Sequence, residues 1–330
     1  MRSKLESWIT NQWYNQGRLC HFMLPLSWVY RCYTNSGQIR RTSILKKHVW
    51  IIGNFTVGGA GKTPLVIHIA NQASVIGLRV LIVVKPYKTK KTFSQSRLIG
   101  NNPDPLIFGD EPCLIKAQTK ADVLCIAKNR SDCFDLQDKY DLIIADDGLQ
   151  DATFERSMNW LVVHGERGFG NGYLLPRGPL RSSLKWAKYV DQVVERDGVN
   201  ENIPGYCLTL DNIISQKTKQ AMLPSYFDNK KVLVTTGIGY PFAFFQAIRQ
   251  LNIKGTYQAL ADHHIFRKKD IAFLNQFDVV IVTEKDAVKL KTFDLEHVYV
   301  CQTVFKPNET FKLTLHNLLK QITESDTIDA

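Results

Sequence analysis

The chain has 330 residues, 44% apolar and 22% charged, with seven cysteines and a net charge of +11 at pH 7. That length supports one large or two ordinary domains with a sizeable core, and the composition argues against disordered, low-complexity and repeat architectures. The odd number of cysteines, without a CxxC pair or Cys/His ligand spacing, argues against a disulfide framework or zinc site and fits reduced cytoplasmic thiols.

The charge is concentrated at the start. Residues 1–48 hold Arg2, Lys4, Arg18, Arg31, Arg40, Arg41, Lys46 and Lys47 against the single acid Glu6. Such a terminus suits anionic lipid headgroups or nucleic acid, and also reads as a solvated tail. Leu5, Trp8, Ile9, Trp13 and Tyr14 recur near helical spacing. Aromatics amid basic residues favour a helix lying in a membrane interface, although the same spacing suits a helix packed on the protein itself. The following apolar run, Leu19 to Tyr30, has no small-residue cleavage site behind it and falls short of the roughly 20 residues a bilayer span needs. With the local charge, residues 1–45 are expected to form a basic, amphipathic, membrane-associated segment.

Beyond it, short Val/Ile-rich runs alternate with helical patterns. Strands are expected at 48–53, 79–85, 122–127, 140–145, 159–164, 188–194, 231–236, 277–283 and 297–301, with helices at 64–76 and 242–252 among them. Apolar runs bounded by turn residues are how strands buried on both faces of a parallel sheet read, so the fold class is α/β with right-handed crossovers. The stretch 197–230 is polar and broken by Gly198, Pro204, Gly205 and Pro224. It divides the chain into a P-loop NTPase-type parallel-sheet domain, 46–225, and a smaller C-terminal α/β domain, 226–330. The alternation Tyr206, Leu208, Leu210 suggests a connecting β-ribbon.

The strongest local signal is Gly58-Gly59-Ala60-Gly61-Lys62-Thr63, after the strand VWIIG and before a helix opening near Pro64. Thr56 stands where the usual pattern has its first glycine. A glycine turn lets main-chain amides face a phosphate, and the helix N-terminus adds partial positive charge. Thr56, Val57, Gly58, Gly59, Ala60, Gly61, Lys62 and Thr63 are therefore the candidate ATP loop, with Lys62 reaching the β/γ-phosphates and Thr63 binding Mg²⁺. Asp146-Asp147-Gly148 follows the strand YDLIIA, where P-loop proteins hold Mg²⁺, so Thr63, Asp146 and Asp147 form the candidate metal set. Alone, Asp-Gly would be an ordinary turn. Phosphoryl transfer also needs a proton acceptor: the candidates are Asp110-Glu111 in FGDEP and Asp262-His263-His264, each of which also reads as a loop or helix cap.

Together these blocks resemble the tetraacyldisaccharide 4'-kinase (lipid A 4'-kinase) family. The likeness is carried by LPLSWVYR at 24–31, GNFTVGGAGKTP at 53–64, GDEP at 109–112, DDGLQ at 146–150, FGNGYLLPRGPLR at 169–181, DHH at 262–264 and TEKDAVK at 283–289. The resemblance implies ATP- and Mg²⁺-dependent phosphorylation of the 4'-hydroxyl of a tetraacylated glucosamine disaccharide 1-phosphate. It places that activity at the cytoplasmic face of the inner membrane, in a peripheral or monotopic protein. It further implies two α/β domains facing each other over the site, joined by a β-ribbon. In the family, Asp110 serves as catalytic base with His263, and Lys62 acts on the phosphates. Glu111, Gln150, Asn171 and Arg181 fall near the acceptor. Two positions depart from the family. Val84-Lys85-Pro86-Tyr87 stands where Ser-Arg-Gly-Tyr is common, which keeps a charge but loses arginine's two-pronged bonding. Ser182 stands where an acid usually follows LPxGPLR.

A P-loop switch acting on a protein partner is the alternative. The spacing of Glu284-Lys285-Asp286 differs from the guanine-reading Asn-Lys-x-Asp element, and the lipid-suited start also argues against a switch. A nucleic-acid binder would need a basic patch with interleaved aromatics on the folded domain. Neither nucleic acid nor an obligate protein partner is expected; the partners implied are the lipid substrate and an anionic membrane surface.

Overall fold

The computed structural model describes residues 9–14, 22–34, 48–86, 94–151 and 154–328. Of the eight basic residues in the N-terminal stretch, only Arg31 is among them, and Leu5 and Trp8 also lie outside.

One thirteen-stranded sheet runs through the molecule in two halves. The first half contains β1 (His48–Gly53), β2 (Val80–Val84), β3 (Arg97–Leu98), β4 (Asp122–Cys125), β5 (Leu142–Asp146), β6 (Met158–His164) and β7 (Gln192–Arg196). Their order is β7-β6-β1-β5-β2-β4-β3, parallel except at β3. Two strands follow, β8 (Gly205–Ser215) and β9 (Ala221–Met222). The second half contains β10 (Val232–Thr236), β11 (Thr256–Ala259), β12 (Val279–Thr283) and β13 (Val298–Pro307), ordered β11-β10-β12-β13 and parallel.

The join is an antiparallel ribbon. β8 pairs with β7 only at Gly205 and Tyr206, then runs along β13 from Tyr206↔Pro307 to Ser215↔Tyr299, with a register shift near Cys301. Tyr206, Leu208 and Leu210 all lie on this ribbon.

The helices are α1 (Leu24–Thr34), α2 (Lys62–Val75), α3 (Pro105–Phe108), α4 (Asp110–Gln118), α5 (Pro241–Gln250), α6 (Lys268–Leu274), α7 (Glu284–Leu290) and α8 (Glu309–Ile328). Alternate residues of each central strand enter opposite faces, the period-two rule of a sheet covered on both sides. In β1, Trp50 and Ile52 pack with Leu65, Val66 and Ile69 of α2, while Val49 and Ile51 pack with Phe154 and Trp186 on the other face. In the second half, Phe244 and Ile248 of α5 cover one face, and Leu274 of α6 with Leu290 of α7 cover the other.

Several elements differ from the sequence reading, the two-residue strands β3 and β9 among those it did not expect. The run expected as a strand from 188 is a 3₁₀ turn, Leu184–Tyr189, and the strand begins at Gln192. β11 reads TYQA and is largely exposed, so it lacks the apolar run that marks a buried strand. α8, numbered within the C-terminal unit, returns to the first half: Phe311, Leu315, Leu319 and Ile322 share a core with Trp50 and Trp160. The Phe311 ring lies 6.3 Å from Trp160 and 5.9 Å from His68. Burial holds the His68 imidazole down to about 4, so it stays neutral in this core.

Among the described residues, no helix is long and apolar enough to cross a membrane. Trp13 and Tyr14 turn toward the protein: the Trp13 indole donates to the Pro176 carbonyl at 3.0 Å, and Tyr14 lies under Arg167. The exposed apolar face is further on, at Phe22, Leu24, Leu26, Trp28 and Val29.

Phe311→Ala empties a fully buried site joining the chain's end to the first half. It is expected to cost about 3–5 kcal/mol in denaturant unfolding.

Candidate active site

β1 ends at Gly53, and the chain turns through residues 54–61 before α2 starts at Lys62. Gly58 and Gly61 have φ of 100° and 90°, a region other residues avoid. A Cβ at Gly58 or Gly59 would meet nothing, so that side of the loop is open to a ligand. A Cβ on Gly61 would instead lie 2.6 Å from the Tyr206 hydroxyl, which donates to the Gly61 carbonyl at 2.6 Å. Pro64 falls within the first helical turn, where its missing N–H has no intrahelical role.

The loop is held from below by Asn54, which is fully buried. Its amide nitrogen donates to the Thr56 carbonyl at 2.8 Å, and its Oδ1 accepts from Lys62 Nζ at 3.1 Å and from Arg181. Its carbonyl accepts from Gln150 Nε2 at 2.9 Å. Val57 N bonds the Pro179 carbonyl and Arg181 N the Phe55 carbonyl, so the 169–181 block forms a rail for the loop.

The two aspartates after β5 are used differently. Asp147, at φ 55°, takes Arg181 through both oxygens and has Lys62 3.6 Å away. Burial alone would raise its carboxyl, but Lys62 and then Arg181 outweigh that and hold it at about 2. Asp146 is buried, accepts from Thr63 Oγ1 at 3.3 Å, and leaves Oδ1 without a hydrogen-bond partner. Burial first, then Glu111, push its carboxyl up to about 7.

That orphaned oxygen beside a hydroxyl at the phosphate loop fits Mg²⁺, which needs one or two protein carboxylates and takes its remaining ligands from phosphates and water. A divalent ion would also reverse the shift at Asp146. Among the described residues there is no cluster of three or more His, Cys, Asp or Glu suited to a metal.

Facing the loop from the second half are Asp262 and His263. Gly239 sits against both Gly59 N and the Asp262 carboxylate. His263 has φ 57°, strained backbone of the kind that gathers at functional sites. Its Nδ1 lies 3.0 and 3.1 Å from the Asp110 oxygens; a carboxylate only accepts, so Nδ1 carries the proton. Asp110 opens α4 after Gly109 and is 6% exposed. Burial alone would raise its carboxyl, but the His263 hydrogen bond and the charges of Lys285 and Lys289 hold it at about 2.

The glycine loop, Glu111, Asp146, Asp147, Gln150, Arg181, Asp262, His263 and Lys285 line one cleft of about 1120 Å³. Asp110 itself lines a small neighbouring cavity and meets the cleft through His263.

Asn171 lies apart from this lining. Its amide donates to the Arg177 carbonyl at 3.0 Å and its Oδ1 accepts from Tyr173 N, so it shapes the rail. Ser182 supplies an acceptor for Gln150 Nε2 at 2.9 Å. Lys85 is exposed on the cleft wall. Sequence reasoning passed over Asn54, although a polar residue directly after a buried strand and before a glycine loop is a usable signal. Lys289 gave none, because its partner Asp110 is far away in the chain.

A glycine loop between β1 and α2, with a carboxylate at the end of the adjacent parallel strand, defines a P-loop nucleotide-binding α/β protein. Residues 19–320 match the family described as LpxK, tetraacyldisaccharide-1-P 4'-kinase. Proteins named tetraacyldisaccharide 4'-kinase are 32% identical in Hahella chejuensis, covering 92% of this chain and 94% of the relative. The one in Legionella pneumophila strain Corby is 35% identical, covering 91% and 93%. That in Ruthia magnifica is 36% identical, covering 87% and 93%. A crystal structure of LpxK from Aquifex aeolicus in complex with ATP shares the fold, with a TM-score of 0.69 at 22% identity over 91% of this chain and 99% of that one. The chain belongs to the tetraacyldisaccharide-1-P 4'-kinase family.

Asp110 provides a stability test. Its folded pKa lies below the ordinary value, so its contribution is present at neutral pH and fades as pH falls from about 4 to about 2. Between pH 7 and pH 3, denaturant unfolding of Asp110→Asn is expected to lose about 1 kcal/mol less than wild type.

Proposed function

We propose that this protein transfers the γ-phosphate of ATP to the 4'-hydroxyl of a tetraacylated glucosamine disaccharide 1-phosphate, giving lipid IVA in lipid A biosynthesis. The observation that carries the reading is a family match along nearly the whole chain, coinciding with one cleft that joins a phosphate loop to an Asp–His pair.

The loop amides of residues 58–61 and the start of α2 take the phosphates. Lys62, anchored by Asn54, supplies a placed cation. Thr63 and Asp146 would hold Mg²⁺, which would supply positive charge against the transferring group. Asp147 keeps Lys62 and Arg181 in register rather than serving the metal. On the acceptor side, Asp110 takes the sugar hydroxyl's proton, with His263 Nδ1 fixing the carboxylate. The transition state of phosphoryl transfer is loose, so an acceptor held at about 2 can serve by position and charge.

A second reading of the pair has a specific observation behind it: His263, not Asp110, faces the cleft. The imidazole would then touch the hydroxyl while Asp110 steadies it. Under the first reading Asp110→Ala is the more damaging substitution; under the second, His263→Ala is.

The segment before residue 45 is assigned to the membrane surface. Support comes from the exposed apolar side chains Phe22, Leu26, Trp28 and Val29 and from the basic sequence around them. The acyl chains would then remain at the bilayer while the sugar enters the cleft.

Incubation with labelled ATP, Mg²⁺ and the acylated disaccharide should give labelled lipid; hydrolysis stimulated by a protein, with no labelled lipid, would favour a switch instead. Asp110→Ala is expected to lower kcat roughly 100-fold or more. Replacing Leu26, Trp28 and Val29 by serine is expected to weaken sedimentation with anionic vesicles while leaving the thermal unfolding midpoint near that of wild type.

A further inference from the structure

α7 places Lys285 and Lys289 one turn apart on one face, toward α4. Lys285 pairs with Glu111 at 2.9 Å and lines the cleft. Lys289 does neither. It is 9% exposed, lies 2.6 Å from Asp286 Oδ1, and is 3.7 Å from Asp110 Oδ2.

Asp286 is fully buried, and its Oδ2 accepts from Thr236 Oγ1 at 2.7 Å, Gly237 N at 2.9 Å and Thr283 Oγ1 at 2.8 Å. The Gly237 carbonyl in turn accepts from His263 N at 2.9 Å. The contacts close a ring: Asp286 to Gly237, Gly237 to His263, His263 to Asp110, Asp110 to Lys289, and Lys289 back to Asp286. Both members of the Asp110–His263 pair are therefore referred to one buried carboxylate, the histidine through main chain and the aspartate through an ammonium.

We propose that Lys289, anchored by Asp286, is a positioning residue that keeps Asp110 ionised and aimed at His263. This effect on catalysis rests on the kinase reading; the effect on Asp110 does not.

The ring has a reason to use lysine. A buried ammonium between two buried carboxylates offsets charge on both without offering a group to the cleft, and either carboxylate alone would be costly to keep charged. The groups that face Asp110 are His263 from its loop, Lys285 and Lys289 from α7, and Glu111 and Cys113 from its own helix. Burial pushes the Cys113 thiol up to about 12, and Glu111 is paired with Lys285, so the balance at Asp110 falls to the two lysines and the imidazole. Asp262, 3.8 Å from His263 Nε2, acts on the far side of the ring.

The test uses the full-length protein without nucleotide, with aspartate carboxyl carbons labelled with ¹³C and Asp110 assigned by its absence in Asp110→Asn. Lys289→Met alone would strand the Asp286 charge, so the variant measured is the double substitution Asp286→Asn/Lys289→Gln, which keeps hydrogen-bonding groups and removes both charges. The proposal expects the Asp110 titration to move up by about one pH unit or more in the double variant. It also expects Lys289→Arg, which keeps the cation, to hold the titration near its wild-type position. The acid limb of kcat/KM for lipid phosphorylation should follow the same order. An Asp110 titration that stays at the wild-type position in the folded double variant overturns the proposal, as does a double variant that titrates like Lys289→Arg. A wild type that forms no labelled lipid would overturn the kinase reading while leaving the titration result to stand.

Discussion

The ion pairs between α4 and α7 decide where the acceptor-side groups stand relative to the glycine loop. α4 belongs to the first half of the sheet and α7 to the second; the halves are joined as well by the β8–β13 ribbon and by α8, which packs into the first half's core. A two-stranded ribbon alone leaves its ends free to flex. Lys285 on Glu111, Gln118 on Glu284 at 2.6 Å, and Lys289 beside Asp110 fix one edge of the cleft that His263 and Asp262 line together with the glycine loop. These charges are shielded from water, and partners shielded in this way hold geometry more firmly than exposed ion pairs do.

The nucleotide loop is tied to α1 and to Trp13 as well. Ser27 donates to the Leu174 carbonyl at 3.0 Å and accepts from Arg177 N at 3.0 Å, while Trp13 holds Pro176. The same rail carries Pro179 and Arg181, which bond the backbone of Val57 and Phe55 and the side chains of Asn54 and Asp147. The exposed apolar face of α1 is thus two hydrogen-bonded steps from the phosphate loop. One continuous strip, 169–181, therefore carries contacts to both α1 and the phosphate loop.

What the sequence disclosed follows from locality. β1, the glycine turn and α2 are consecutive, and each states its role through an apolar run, a string of glycines or a helix start. Asp146 is legible because it ends a buried strand. The Asp110–His263 contact spans 153 residues, and composition or periodicity alone could only offer the two segments as separate candidates; the family resemblance paired them. Lys289 and Asp286 stood inside a quoted block yet carried no stated role, because a lysine on a short helix reads as solvated surface until the opposing carboxylate is in view. α8 was not singled out, for a related reason. Its apolar stripe announces a partner but not which half of the sheet supplies it, and only the length of β13, running back along β8, delivers it to Trp160. β11 was silent because an edge strand with exposed side chains has no pattern to display.

The pair Asp146-Asp147 shows how much a motif leaves open. Two adjacent carboxylates after a strand suggest two metal ligands. In the fold, Asp147 adopts a left-handed backbone that turns it to Arg181 and Lys62, and it is neutralised there, whereas Asp146 points inward with one oxygen unmatched. If both carboxylates served a cation, Lys62 would lose an anchor and Arg181 its forked partner, and both bases would compete with the metal for the phosphates. If neither did, the buried Asp146 would keep an unmatched oxygen and a carboxyl pushed toward its neutral form, with nothing in return. The division gives one carboxylate to the protein's own cations and leaves the other, beside Thr63, with an unmatched oxygen. Neutral packing could fill the Asp146 position more cheaply, so a buried acid with one oxygen unmatched beside Thr63 fits the metal role proposed above.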